Sequence, residues 1–365
     1  MKVLLTGAGG FLGWHTRVRL AAHTDHEVVA VDRESFSRMP ELARGCDAVL
    51  HVAGVNRASD DEVERGNVAL AEAVAEAVRS AGSILRVVYA NTVHAGADSA
   101  YGRGKAKATD ALRASGADVV DVRLPNLFGE HGRPGYNSFV ATFADAVARD
   151  EAPTTVQDKE IGLLRAQGAA QAMIDALDGG DDLVRPEAHP TSVREVLDLL
   201  TSFRETYRTG DIPALPSDFH VDLFNTLRAA LFPQGYPIGL TPHSDDRGRL
   251  VETVRSHGGQ GQTFVSTTRC GITRGDHYHL GKIERFVVLG GRARISLRRV
   301  FHEDVIDFVV DGTEPVAIDM PTMWVHNITN IGDTELLTQF WTHTLFDPAA
   351  ADTFWEPVRQ DVTCS

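Results

Sequence analysis

Cysteine is scarce in this chain. Three occur in 365 residues, Cys46, Cys270 and Cys364, widely spaced and odd in number. That excludes a disulfide framework and points to a reducing compartment, the cytoplasm. No run of eighteen apolar residues occurs, so no membrane span is expected. The opening, Met1-Lys-Val-Leu-Leu-Thr-Gly7, passes straight into a strand and a glycine turn, without a signal-peptide cleavage pattern. No lysine- or arginine-rich run is present, and the formal net charge is −14. Nucleic acid and anionic membranes are therefore poor partners, while an anionic small molecule held by local arginines remains open. The chain does have 43% hydrophobic residues, which suits globular domains with real cores, and a length suited to two or three domains.

The N-terminal half carries a dinucleotide pattern. A short apolar run, Lys2 to Leu5, ends in Thr6-Gly7-Ala-Gly9-Gly10-Phe11-Leu12-Gly13, and a helical pattern follows from about Trp14 to Ala22. Strand, glycine turn and helix open a Rossmann fold. Gly7 permits the tight turn, Gly10 lets the backbone approach a pyrophosphate, and Gly13 lets the helix pack on the strand. The first turn of the helix, Phe11 and Leu12 included, then faces the phosphates with unpaired N–H groups. A second strand, Glu27 to Val31, ends in Asp32, which favours NAD, and Arg33, which favours NADP. The choice stays open at this point.

Asp47 to Gly54 reads as a further buried strand ending in Ala53-Gly54, followed by Asn56 and Arg57. A helix is expected from about Asp61 to Ser80, and a strand from Ile84 to Tyr89 that runs into Asn91-Thr92. Tyr101 and Lys105 stand at i and i+4 and share a helix face. A neighbouring ammonium lowers a phenol's pKa, which makes Tyr101 a proton donor to a carbonyl that accepts hydride. Val119 to Leu124 reads as a strand, then Asn126, the polar loop Gly132-Arg133-Pro-Gly-Tyr136-Asn137-Ser138, and helices over 139–149, 192–200 and 218–231.

These features resemble the extended short-chain dehydrogenase/reductase superfamily. The resemblance implies that Thr92 holds the substrate carbonyl and that Lys105 also binds the nicotinamide ribose. It places Asn126 and Asn137 near the substrate and turns Arg133 towards a diphosphate. Gly162-Leu-Leu-Arg165 departs from the Tyr-Val-Asp-Asp-like stretch usual in that superfamily.

Past Pro233-Gln-Gly-Tyr-Pro237 the pattern changes to short strands and frequent turns, as in a jelly-roll barrel. The expected division is 1–236 for an NAD(P)-binding α/β reductase domain and 237–365 for an all-β metal-binding domain. Within the latter, His277 and His279 alternate at period two and so share one strand face. Glu284 reaches the same spot from the paired strand and His326 from a later one. Three imidazoles and a carboxylate suit zinc or another divalent ion with one position open. His302 and His343 read as structural or surface residues.

The spacing of these residues resembles the cupin signature G-x5-H-x-H-x4-E-x6-G, then P-x-G-x2-H-x3-N, except that Met323 replaces the second motif's glycine. Asp245-Asp-Arg-Gly248 resembles the entry of sugar-nucleotide cupins, and the cupin likeness implies a homodimer paired through its sheets. Taken together, Leu50-His-Val-Ala-Gly-Val-Asn-Arg57, Pro125-Asn-Leu-Phe-Gly129, Tyr136-Asn-Ser138, His326-Asn-Ile328 and Phe346-Asp-Pro348 resemble the CapF/WbjC-type capsular polysaccharide enzymes. That family implies a bifunctional protein. Its cupin epimerises C3 of a UDP-4-keto-6-deoxy-2-acetamido sugar, and its reductase domain reduces the C4 ketone with NADPH. Asn56 and Arg57 join the substrate contacts on this reading. Rival readings keep the reductase with a merely dimerising cupin, make the cupin an iron or manganese oxygenase, or make the chain a non-catalytic sugar-binding protein.

Overall fold

A computed structural model describes residues 1–81, 85–153 and 156–359. The expected strand start at Ile84, and Cys364, lie outside the described residues. The chain divides into two compact units, Met1–Thr142 with Gln157–Val193, and Phe143–Val156 with Arg194–Ser365. The expected division at residue 236 thus falls inside the second unit, for a reason given below.

The first unit is built on a six-stranded parallel sheet in the order β2-β1-β3-β4-β5-β8. Its strands are β1 (Lys2–Thr6), β2 (Glu27–Val31), β3 (Ala48–His51), β4 (Arg86–Thr92), β5 (Asp118–Leu124) and β8 (Leu183–Val184). A side sheet holds β6 (Asn126–Phe128), β7 (Glu160–Arg165) and β9 (His189–Ser192). Six helices accompany them: α1 (Phe11–His23), α2 (Met39–Leu42), α3 (Asp60–Ala81), α4 (Ala100–Arg113), α5 (Phe139–Ala148), which straddles the division, and α6 (Ala166–Asp175). Val3, Leu5, Leu50, Val88 and Val120 pack one core, with Ala169 and Met173 of α6. Leu4, Val49, Val87 and Val119 pack the other, with Val74 of α3 and Leu112 of α4. Alternate residues of one strand therefore serve both layers, which is why these strands read as continuous apolar runs. The strand order reverses between β1 and β3, and an open parallel sheet binds its ligand at such a switch point, beyond the strands' carboxyl ends.

The second unit is an antiparallel double sheet. One sheet runs β10-β18-β15-β20-β13 and the other β17-β16-β19-β14-β21. In chain order the unit holds α7 (Val193–Tyr207), α8 (Asp218–Leu231), β10 (Ile238–Gly239), a hairpin of β11 (Pro242–Asp245) and β12 (Gly248–Val251), β13 (Gln262–Thr268) and β14 (Thr273–Tyr278). It continues with β15 (Glu284–Gly290), β16 (Arg292–Arg299), β17 (Val305–Asp311), β18 (Val316–Met320), β19 (Trp324–Asn330), β20 (Leu336–Thr342) and β21 (Phe354–Trp355).

Helices α7 and α8 belong to this unit because buried polar bonds tie them to it. The fully buried pair Arg285–Asp319 takes a further hydrogen bond from the Tyr207 hydroxyl to Asp319 at 2.7 Å, and Arg285 donates to Gly210 O at 2.7 Å. Arg228 of α8 donates to Met320 O, and Asn225 donates to Gly281 O at 2.9 Å. A buried charge left without its partner is costly, so these bonds fix the helices against β15 and β18.

Candidate functional site

Each unit carries one candidate site. In the first, the β1–α1 turn has the geometry that its glycines require. Gly7 has φ +70°, and a Cβ there would lie 2.8 Å from the Ala53 backbone. A Cβ on Gly13 would lie 2.0 Å from Gly7 O, so only glycine lets α1 start this close to β1. Gly10 is the N-cap of α1 and offers no side-chain cap. The N–H groups of the first turn, Phe11 and Leu12 among them, are thus left for an anion.

Asp32 stands exposed at the end of β2 beside exposed Arg33. Its Oδ1 accepts from Glu34 N, Ser35 N and Ser35 Oγ at 3.0, 2.9 and 2.7 Å. The Ser35 bonds hold its carboxyl below the usual range. Asp32 is therefore first a turn-former, with Oδ2 outside that turn.

The three expected catalytic residues lie at the carboxyl end of β4 and on α4. Thr92 ends β4. Its backbone N–H donates to Asn91 Oδ1 at 2.9 Å, and Asn91 Nδ2 in turn donates to buried Asp121 at 2.7 Å. Ser99 caps α4 by accepting from Gly102 N at 3.0 Å, which sets the phase of the helix and so of Tyr101 and Lys105. Lys105 Nζ donates to Ala90 O at 2.7 Å and lies 4.5 Å from the Tyr89 ring centroid and 5.9 Å from that of Tyr101. Burial pulls its ammonium down to about 7 and pushes the Tyr101 phenol up. The expected lowering of the phenol by the lysine is therefore not found. Desolvation outweighs the ammonium's effect in the free chain.

Sequence reasoning missed the support beneath this site. Buried His51 stacks on Tyr89, ring centroids 5.1 Å apart. It also meets the Thr6 hydroxyl at 2.8 Å, and that hydroxyl already accepts from the Val52 and Ala53 N–H groups. Thr6 must then donate, so His51 accepts at Nδ1, and burial keeps the ring neutral, at about 3. Asn67 clamps the next loop, accepting from Val55 N at 3.2 Å and donating to Val55 O at 2.7 Å. Its only signal was an amide in the middle of an apolar helix stripe.

Of the expected substrate residues, the structure gathers two. Arg57 donates to Gly135 O at 2.6 Å, and the Arg57 and Arg133 guanidinium groups lie 5.7 and 5.3 Å from the Tyr136 ring centroid. Asn56, Asn126 and Asn137 are exposed. Arg165, which stands where the superfamily pattern broke, pairs with fully buried Glu130 and so joins α6 to the loop after β6.

The second site joins the two sheets. His277, His279, Glu284 and His326 offer ligand atoms all within 4.8 Å of one another. Glu284 Oε2 lies 3.1 Å from His279 Nε2, 3.2 Å from His326 Nε2 and 3.9 Å from His277 Nε2. These separations match donors about 2.0–2.2 Å from a common ion. Two of the other ring nitrogens face carbonyls. His326 Nδ1 donates to Trp324 O at 3.0 Å and His279 Nδ1 to Asp352 O. Such bonds fix the tautomer that turns each Nε2 lone pair inward. Burial draws His326 down to about 4, and the imidazoles, overcoming burial, hold the Glu284 carboxyl well below its usual range. Three imidazole nitrogens and an ionised carboxylate converging on one point fit a divalent cation.

Period two alone does not place both histidines. The β14 ladder shifts register between Gly275 and His277, and Asp276 has φ +61°. This bulge re-aims His277. Asp276 is held in it by Asn327 Nδ2 at 2.8 Å and Val358 N at 3.0 Å. A Cβ on Gly275 would lie 2.9 Å from His326 O, which explains its glycine. Farther on, the Asp352 carboxylate accepts from Leu280, Gly281 and Lys282 N–H groups at 2.8, 2.7 and 2.7 Å, locking the link between His279 and Glu284. His343 accepts from Ile283 N at 3.0 Å.

Met323 explains the break in the second motif. It has φ +61°, the left-handed region that glycine enters freely. Its N–H donates to His279 O at 2.7 Å, and its side chain is fully buried. Changing Met323 to Gly relieves roughly 1–2 kcal/mol of backbone strain but forfeits a core side chain worth about 2–5 kcal/mol. The variant should therefore be less stable by up to about 4 kcal/mol, read by urea unfolding of the full chain. A variant more stable than the native chain would show that strain, not packing, decides this position.

Residues 3–182 match the NAD dependent epimerase/dehydratase family, and residues 243–354 match the polysaccharide biosynthesis C-terminal domain. The UDP-2-acetamido-2,6-beta-L-arabino-hexul-4-ose reductase of Pseudomonas aeruginosa is 34% identical over 366 residues, 97% of this chain and 98% of that protein. The capsular polysaccharide assembling protein CapF from Staphylococcus aureus, a solved structure, is 30% identical with a TM-score of 0.64, over 98% of this chain and 100% of that one. A ceramide reductase of Caulobacter vibrioides is 29% identical over 192 residues, 47% of this chain and 59% of that protein. Matched along nearly its whole length, with a parallel α/β unit ahead of an antiparallel double sheet, the chain belongs to the CapF family of nucleotide-sugar reductase/epimerase enzymes.

Proposed function

We propose that this enzyme inverts C3 of a UDP-linked 4-keto-6-deoxy-2-acetamido sugar in its second unit and then reduces the C4 ketone in its first. One observation carries the reading: the converging set His277, His279, Glu284 and His326, three of them buried, shares a chain with Thr92, Tyr101 and Lys105. A bound divalent ion, zinc by the donor set, would stabilise the charge that builds on the ketone oxygen when the C3 proton leaves. The four side chains would hold the ion, and the Trp324 and Asp352 carbonyls orient two of them. A bound nicotinamide would supply the hydride, as NADPH if Arg33 meets the 2′-phosphate. Thr92 orients the ketone, Tyr101 gives the oxygen its proton, and Lys105 holds the ribose and the charge beside the phenol. Epimerisation must come first, because reduction removes the ketone that acidifies C3.

The assembly expected is a homodimer, which the exposed Phe264 and Val265 of edge strand β13 suit, and the place is the cytoplasm. Among the described residues no helix is long and apolar enough to cross a membrane. The test supplies UDP- and dTDP-4-keto-6-deoxy sugars in deuterated water. NADPH loss with deuterium entering C3 is expected. Reduction without deuterium would refute the epimerase half, and no NADPH loss with any of these ketones would refute the reductase half.

A further inference from the structure

Trp355 is 77% exposed, more than any other large apolar side chain among the described residues. It does not hang on a loose tail. Strand β21 pairs with β14, and Trp355 lies directly opposite His277, Phe354 opposite Tyr278. Directly paired residues of antiparallel strands point to the same face. The Tyr278 and Phe354 rings confirm this for the far face, with centroids 5.4 Å apart. Trp355 therefore shares the face on which His277 turns towards Glu284 and His326.

The backbone around it is fixed. Glu356 N donates to Asp276 O at 3.0 Å, and Val358 N donates to Asp276 Oδ1 at 3.0 Å. Buried Arg298 donates to Val358 O at 2.7 Å and to Pro357 O at 2.9 Å. The bulge residue that aims His277 thus also anchors the segment that carries Trp355.

Exposure of the four candidate ligands shows where a molecule enters. The His277 side chain is 23% exposed, against 3% for His279, 9% for Glu284 and 0% for His326. The cluster is open on the His277 side, where β21 forms the sheet edge and presents the indole. Cross-strand Cβ atoms stand about 5 Å apart, so the indole lies within one side-chain length of the open position.

We propose that Trp355 is a substrate-binding platform of the metal site, its indole face stacking on the C–H face of the reacting pyranose. A 6-deoxy sugar lacks one hydroxyl and presents a larger apolar face to such a ring. The base is the wrong occupant, because a diphosphate separates it from the sugar ring held at the ion. This inference rests on the metal-epimerase reading given above.

The experiment follows C3 deuterium exchange with the UDP-4-keto-6-deoxy-2-acetamido sugar in the full-length protein. Trp355→Ala should raise KM about tenfold with kcat kept within about threefold, and Trp355→Phe should stay within about threefold of the native KM. Zinc content should match the native protein in both variants, and UDP alone should inhibit native protein and Trp355→Ala equally. A native KM in Trp355→Ala would overturn the platform while the epimerase reading stands. Loss of zinc from Trp355→Ala, or a fall in its molecular mass in solution at unchanged KM, would also overturn it, making Trp355 a structural or interface residue. Native protein that binds no divalent ion or shows no exchange would remove the epimerase reading and the platform together.

Discussion

His326→Ala is expected to abolish C3 deuterium exchange while leaving ketone reduction intact. His326 is fully buried, and its Nε2 lies 3.2 Å from Glu284 Oε2. Removing it leaves two imidazoles and a carboxylate around a cavity, so an ion would have three donors from these residues. Loss of an outer partner alone typically weakens metal binding about 10–100-fold, and loss of a ligand should exceed that. Charge stabilisation by the ion is worth several kcal/mol, so exchange should fall by about 10³-fold or more. Metal analysis of the purified variant, the exchange rate, and NADPH oxidation with an already epimerised ketone together make the measurement. A variant that inverts C3 at the native rate would reduce the second unit to a structural module. Oxygen uptake by native protein loaded with iron or manganese would instead favour the oxygenase reading.

Tyr101→Phe should lower the kcat/KM of NADPH-dependent reduction by about 10²–10⁴-fold, the usual share of a positioned general acid. The C3 exchange should persist, so an epimerised ketone accumulates. The pH profile supplies a second readout. Burial pushes the phenol up, so it stays protonated through neutral and mildly alkaline pH. Burial draws Lys105 down to about 7. Its ammonium is present below that pH and lost above it, so kcat/KM, which reports the free enzyme, should fall as pH rises through about 7. A flat profile between about pH 6 and 9 would show that the charge of Lys105 is not used.

The patterned features of the fold were legible. Strands β2 and β5 and helices α3 and α8 lie within two residues of their expected places, because each buries a periodic apolar face or run. The glycine turn was legible because steric limits at Gly7 and Gly13 act between residues close in sequence. The candidate metal quartet, whose ligand atoms lie within 4.8 Å of one another, was legible through spacing. Three things were not. The Asp276 bulge depends on Asn327 and on Val358, distant in sequence. The affiliation of α7 and α8 depends on Asp319 accepting from Tyr207 and Arg285 at once. The direction of the Tyr101 shift depends on how much water the fold removes from the ring.

By itself the sequence determined the two architectures, the dinucleotide turn and the identities of the four candidate metal donors. Each follows from local periodicity, from sterics within a turn, or from donor chemistry. Only the tertiary structure decided that the donors converge, since Glu284 comes from one sheet and His277 and His326 from the other. It also decided that Met323 keeps a glycine's backbone angle for the sake of its packing, and that Trp355 stands beside His277. Strand register and burial are set by the whole chain at once, and no short window of sequence contains them.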